Sequence, residues 1–224
     1  MSVNPLTVDG LAAMIDHTIL KPESARSDVE RAVAEGVAAG CASVCVQPAW
    51  VPHAVEVAGG RVPICSVVGF PHGANLSETK ASEAAAVIAQ GATEVDMVAD
   101  LAALADKDDR AVAEDISRVR AAVPHVILKV ILESALWQPA QLRAACEAAV
   151  SGGADFVKTS TGFHPTGGAT ADAVQTMRDA VGTRAMVKAS GGIRTLEDVE
   201  AMIDAGADRL GMSATSAVLA ELSD

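Results

Sequence analysis

Gly153-Ala154-Asp155-Phe156-Val157-Lys158 repeats a pattern found three more times in this chain. The other copies are Gly40-Cys41-Ala42-Ser43-Val44-Cys45, Gly91-Ala92-Thr93-Glu94-Val95-Asp96 and Gly206-Ala207-Asp208-Arg209-Leu210-Gly211. In each, a glycine and a small residue lead into a short run that begins a strand. Glycine takes the left-handed conformation that often follows a helix without the steric penalty of a Cβ. Each copy therefore reads as helix end, turn, strand. The same offset from the glycine lands on Cys45, Asp96, Lys158 and Gly211.

Four more strand candidates lie between the copies: Ile15 to Leu20, Ile64 to Phe70, Val126 to Leu132 and Ala185 to Ala189. Amphipathic helical stretches fill the gaps near 27–39, 77–90, 108–122, 139–151, 170–181 and 195–205. Ser77, Thr170 and Thr195 are candidate N-caps, and Pro139 suits a first helical turn. The stretch 47–60 fits neither pattern, and no helix is signalled between Leu20 and about Ser27. Eight strands alternating with helices give a parallel (β/α)8 barrel, as one α/β domain over residues 1–224. In such a barrel alternate strands supply one layer of inward side chains. Cys45, Asp96 and Lys158 would share a layer near the catalytic rim, with Gly211 leaving space in it. The odd strands would contribute Asp16, Lys129 and Lys188.

Composition narrows the function. Half the residues are hydrophobic, 2 % are aromatic and tyrosine is absent, so the core is built from Ala, Val, Ile and Leu. The formal net charge of −12 opposes nucleic-acid phosphates. Two Trp and three Phe are too few for a base-stacking platform. Every apolar stretch is too short or too interrupted to cross a membrane. The opening Met-Ser-Val-Asn-Pro lacks a basic region followed by an apolar run, so a cytoplasmic location is expected. Cys41, Cys45, Cys65 and Cys146 form no C-x-x-C pair and read as reduced thiols. Cys41 and Cys45 with a histidine would make a metal site only against the usual spacing, so no metal is expected.

Lys158 and Lys188 each interrupt a short apolar run that opens into small hydroxyl residues and glycine. Burying an ammonium is costly, and a second cation nearby adds to the cost. One lysine can escape it by losing its proton, its pKa falling from about 10.4 toward neutrality. A neutral, partly buried amine attacks carbonyl carbon. These two lysines therefore point to Schiff-base chemistry. A structural ion-pair network is the alternative, although buried pairs contribute little net stability.

Three loops follow the late strands: Ser160-Thr161-Gly162, Ser190-Gly191-Gly192-Ile193-Arg194 and Gly211-Met212-Ser213. Loops after strands seven and eight commonly hold phosphate in these barrels, and glycine lets backbone N–H groups approach the anion. A phosphorylated small-molecule substrate is expected. Gly69-Phe70-Pro71-His72-Gly73 reads either as a rim loop that touches ligand or as a tight turn.

Taken together, these segments resemble the deoxyribose-phosphate aldolases. The matching stretches are Ile15-Asp16-His17-Thr18-Ile19-Leu20, Val67-Val68-Gly69-Phe70-Pro71-His72-Gly73-Ala74, Glu94-Val95-Asp96-Met97-Val98 and Leu128-Lys129-Val130-Ile131-Leu132-Glu133. The two lysine motifs and Arg209-Leu210-Gly211-Met212-Ser213 complete the set, which spans almost the whole chain. The resemblance implies a cofactor-free class I aldolase that cleaves 2-deoxy-D-ribose 5-phosphate to D-glyceraldehyde 3-phosphate and acetaldehyde. It implies Lys158 as Schiff-base residue, Lys188 as its electrostatic partner, Asp96 as proton donor and acceptor, and Asp16 as a positioning carboxylate beside Lys188. Thr18, Cys45, Lys129 and Thr161 align with residues lining the substrate site. Gly162, Gly191, Gly192, Gly211 and Ser213 align with the phosphate region. A homodimer is the usual assembly of the family.

Three departures stand out. Asp100-Leu101-Ala102 replaces the usual Asn-Ile-Gly, Ala214 replaces the second serine of a common pair, and the C-terminal tyrosine of some members is missing. Another Schiff-base phosphosugar aldolase, a transaldolase-like barrel and a non-catalytic phosphosugar-binding barrel are the competing readings.

Overall fold

The computed structural model describes residues 7–222, so the Met-Ser-Val-Asn-Pro start and the terminal Ser223-Asp224 lie outside it. Eight parallel strands close a barrel in sequence order. They are β1 (Ile15–Ile19), β2 (Ser43–Val46), β3 (Ile64–Val68), β4 (Glu94–Val98), β5 (Ile127–Ile131), β6 (Phe156–Lys158), β7 (Met186–Ser190) and β8 (Arg209–Met212). Strand β8 pairs back onto β1, with Asp16 beside Gly211. All eight expected strands are present.

Ten helices surround the barrel among the described residues: α1 (Val8–Ala12), α2 (Arg26–Ala39), α3 (Val51–Ala58), α4 (Ser77–Ala89), α5 (Leu101–Ala105), α6 (Asp109–Ala122), α7 (Pro139–Ser151), α8 (Ala171–Val181), α9 (Leu196–Asp204) and α10 (Thr215–Glu221). Thr170 and Thr195 cap α8 and α9 through their side chains, and Pro139 opens α7. Ser77 does not cap α4. Leu76 occupies that position with no side-chain bond, and Ser77 is the first helical residue. A buried contact of Lys80, described below, sets where α4 sits. The unreadable stretch 47–60 holds a short 3-10 turn at Pro48–Trp50 and then α3, with Pro52 in its first turn. The short α1, α5 and α10 carried too few residues to show a period.

The four repeat glycines behave alike. Gly40, Gly91, Gly153 and Gly206 all have positive φ, between 72° and 105°. Beneath two copies the barrel carries a matching clamp. Arg120 of α6 donates to Gly153 O at 3.0 Å and to Asp155 Oδ2 at 2.5 Å, and Asp155 Oδ2 accepts Leu128 N at 2.8 Å. Arg178 of α8 bonds Gly206 O and Asp208 in the same way, and Asp208 accepts Val187 N at 2.8 Å. Each clamp ties a helix to the start of the next strands.

Strand register stacks the interior in layers of four from alternate strands, as closed barrels of this size do. Thr18, Val67, Ile131 and Ser190 form the uppermost of four, and Cys45, Asp96, Lys158 and Gly211 the layer beneath. Asp16, Cys65, Lys129 and Lys188 come next, each beside members of the layers above and below. Ser43, Glu94, Phe156 and Arg209 lie lowest. Aliphatic residues on the outer strand faces pack under the helices and make the main core.

Candidate active site

Among the described residues, seven charged side chains fill the barrel interior: Lys129, Lys158, Lys188 and Arg209 against Asp16, Glu94 and Asp96. Asp96 is their hub. Its Oδ2 accepts from both Lys158 Nζ and Lys188 Nζ at 2.7 Å, and its Oδ1 accepts from Lys129 Nζ at 2.8 Å. Lys188 also donates to Asp16 Oδ2. Asp16 Oδ1 accepts from Ser43 Oγ and Arg209 Nη1, each at 2.7 Å. Lys129 reaches Glu94 at 2.6 Å and Asp16 at 3.3 Å. Gly211 provides the room. A Cβ there would stand 3.0 Å from Lys188 Cε and from Ser190 Cβ.

The charges set one another's protonation. Burial pushes the Asp96 carboxyl up, but Lys129, Lys158 and Lys188 outweigh it and hold the group well below the usual range. Asp16 is lowered likewise, burial again opposed, by Lys129, Lys188 and Arg209. Burial works to lower Lys129 and Lys188, yet Asp16 and Asp96 carry both above the ordinary lysine value. Both carboxylates are therefore ionised and both of these lysines protonated at neutral pH. The expectation of a crowded lysine pair is met in register too, since Lys158 and Lys188 are partners across β6 and β7.

A cavity of about 830 Å³ opens above this network at the C-terminal end of the strands. Lys158 lies in its wall, with Thr18, Thr161, Gly162, Gly191, Gly192, Gly211 and Ser213. Lys188, Asp96, Asp16, Lys129 and Cys45 do not line it. They sit buried beneath; Asp96 accepts from Lys158, and Lys129 and Lys188 share that carboxylate, while Asp16 pairs with both of those lysines. The Gly69–Gly73 segment stays outside the cavity and is a tight turn, Gly73 N donating to Gly69 O at 2.7 Å. The glycine loop after β7 is pinned from outside, where Ala169 N donates to Ser190 O and Gly191 O. Lys21, Arg31 and Arg194 bring positive charge to the wall, and Glu23, Asp28 and Glu35 negative charge.

Several members escaped the reading of the sequence. Ser43, Glu94 and Arg209 stand two residues before Cys45, Asp96 and Gly211 in the repeat, so strand alternation puts them on the same side. That signal was present and unused. Glu133 and Arg194 close a strand motif and a glycine loop without a role of their own being read from them, and Cys65 carried no signal. Cys65 Sγ donates to Asp96 Oδ1 at 3.2 Å. The donor atoms of Cys45, Cys65 and Asp96 lie within 4.8 Å of one another, but Asp96 already accepts from three lysine amines, and the protonated Lys129 and Lys188 would repel a cation. Cys41 and Cys146 lie in the outer core, where burial pushes both thiols up to about 12, so they are packing residues. Asp100, one of the departures, caps α5 by accepting from Ala102 N and Ala103 N.

This fold and site define a (β/α)8 barrel enzyme with a lysine amine presented to a cavity from a buried charge network. The model of the DeoC/LacD family of aldolases matches residues 11–219. A deoxyribose-phosphate aldolase of Mycobacterium tuberculosis is 54 % identical over 217 residues, covering 95 % of this chain and 96 % of the relative. One from Bacillus cytotoxicus is 52 % identical over 211 residues, covering 93 % and 94 %. The solved deoxyribose phosphate aldolase of Aeropyrum pernix, described as a unique tetramer, superposes with TM-score 0.90 at 35 % identity, covering 97 % of this chain and 93 % of that one. The chain belongs to the DeoC/LacD aldolase family and is a lyase. No described helix is long and apolar enough to cross a membrane.

Proposed function

We propose that the enzyme reversibly cleaves 2-deoxy-D-ribose 5-phosphate to D-glyceraldehyde 3-phosphate and acetaldehyde through a Schiff base on Lys158. One observation carries this reading. Of the interior lysines 129, 158 and 188, Lys158 is the one in the cavity wall, and among the described residues its only carboxylate contact is an oxygen shared with Lys188. Lys129 and Lys188 each hold at least two carboxylates, so Lys158 is the interior amine least engaged by the network and the one open to a carbonyl in the cavity. Lys188 is its electrostatic partner, and Asp16 keeps the Lys188 ammonium in place.

The neutral amine attacks the C1 aldehyde, and loss of water leaves a protonated imine. Asp96 takes the proton of the C3 hydroxyl, through a water. The C2–C3 bond breaks, its electrons pass into the imine, C3 becomes the aldehyde carbon, and D-glyceraldehyde 3-phosphate departs from an enamine. Asp96 returns the proton to the enamine carbon, and hydrolysis frees acetaldehyde and Lys158. The imine is itself the electron sink, so the cycle calls for no metal or organic cofactor.

Gly162, Gly191, Gly192, Gly211 and Ser213 receive the phosphate, and Ala214 contributes no hydroxyl there. Thr18 and Thr161 line the substrate, while Cys45 and Lys129 shape the floor from below. The enzyme serves deoxyribose phosphate breakdown in the cytoplasm, as a homodimer. The test is borohydride reduction in the presence of acetaldehyde, followed by peptide mapping. Label is expected on Lys158 and absent from a Lys158→Arg variant, whose guanidinium cannot form the imine. Label on Lys188 instead, or none in the wild type, would sink the reading.

A further inference from the structure

Just past β5 the backbone turns left-handed at Glu133, with φ 52° and ψ 58°. That conformation is uncommon for a residue bearing a side chain. Glu133 is also buried, 1 % exposed. Its carboxylate faces Thr161. Oε2 accepts the Thr161 hydroxyl at 2.7 Å, and both carboxylate oxygens lie 3.3 Å from the Thr161 backbone N. The surrounding backbone is tied down, Leu132 N donating to Lys158 O at 2.9 Å and Ser134 N to Thr159 O at 2.8 Å. The segment carrying Glu133 thus runs alongside the segment carrying Lys158.

A threonine hydroxyl has one proton and two lone pairs, and a carboxylate has no proton to give. The Thr161 proton is therefore committed to Glu133. One lone pair of Thr161 Oγ1 accepts Phe163 N at 3.1 Å. The other remains, and Thr161 lies in the cavity wall between Lys158 and Gly162. So held, the hydroxyl can accept a hydrogen bond from a ligand and cannot donate one.

Taking the proposed cleavage as given, we infer that Glu133 is a positioning residue that fixes Thr161 as hydrogen-bond acceptor for a substrate hydroxyl. The C3 hydroxyl gives its proton to Asp96 in that reaction. The C4 hydroxyl is the remaining donor, and Thr161 accepts from it. A phosphate without protons has nothing to offer such an acceptor and is left to the glycine loops.

In the condensation direction the C4 hydroxyl is the 2-hydroxyl of D-glyceraldehyde 3-phosphate. The experiment compares kcat/KM for that acceptor and for 3-phosphopropanal, which lacks the hydroxyl, with acetaldehyde as donor. Wild type should prefer the hydroxylated acceptor by about tenfold or more. In Glu133→Gln the amide donates to Thr161 and releases its proton, and the preference should shrink to about threefold or less. A merely structural defect lowers both rates together and leaves the ratio alone, so an unchanged ratio overturns the inference. Thr161→Val should abolish the preference, and adding Glu133→Gln to it should change the ratio no further. Additive effects on the ratio would show that Glu133 acts elsewhere. If Glu133→Gln does not fold, Glu133→Asp withdraws the carboxylate by one methylene. The ratio must fall there too, and an unchanged one refutes the role. A wild type that condenses neither acceptor refutes the cleavage reaction itself, and the role of Glu133 with it.

Discussion

Asp96 accepts from Lys129 through one oxygen and from Lys158 and Lys188 through the other. Asp96→Asn keeps the shape but cannot take a proton, so kcat should fall by about 10² or more. Exchange of acetaldehyde methyl protons with solvent deuterium isolates the step. Wild type should catalyse it and Asp96→Asn far more slowly, and exchange at the wild-type rate would remove Asp96 from proton transfer. Lys188→Leu tests the electrostatics. It deletes one of three cations that depress Asp96, so the Asp96 carboxyl should rise and the acid limb of the kcat–pH profile should move upward. An unmoved limb would mean that Lys129 and Lys158 suffice. The sign for stability follows from the same shifts. The depressed Asp96 stabilises the fold fully above about pH 3.9, and this is lost as pH falls through its folded value. The raised Lys188 stabilises it fully below about pH 10.4, and this is lost only as pH climbs through its folded value.

Helices α4 and α6 meet through a second buried ion pair that has no part in the cavity. Lys80 is 0 % exposed and Asp115 3 %. Lys80 Nζ donates to Asp115 Oδ2 at 2.8 Å and to Val98 O, at the end of β4, at 3.0 Å. Asp115→Asn strands a buried ammonium and should cost about 3–5 kcal/mol, read from urea unfolding. Lys80→Met with Asp115→Leu should cost less, since neither charge is then left alone. A larger loss in the pair than in the single variant would contradict this account. The pair also marks where the sequence stops being readable. In Ser77-Glu78-Thr79-Lys80 a lysine looks like any solvated helix residue, and nothing local tells that α6 brings a carboxylate to it. Lys158 and Lys188 were legible because each breaks an apolar strand, where a charge needs a reason. Glu133 was not, because its meaning depends on a left-handed backbone and on Thr161, 28 positions away.

Along the barrel axis the molecule separates two kinds of work. The cavity and its lysine occupy the C-terminal end of the strands, and the Arg120–Asp155 and Arg178–Asp208 clamps hold the opposite end. Arg178→Ala should lower unfolding free energy by about 1–3 kcal/mol through its lost carbonyl and carboxylate bonds, with kcat unchanged. A fall in kcat without a fall in stability would break that separation. The eight-strand alternation made this architecture readable in the sequence, since four copies of one turn fix the period. The closing pair of β1 and β8 has a different consequence. Asp16, near the beginning of the chain, is gripped by Lys188 and Arg209 from its last two strands. During synthesis the early strands carry an anion whose partners have not yet been made. The reactive amine can gain its full setting only when the final strand arrives, so a chain stopped short of Arg209 is left without the counterion that completes the ring.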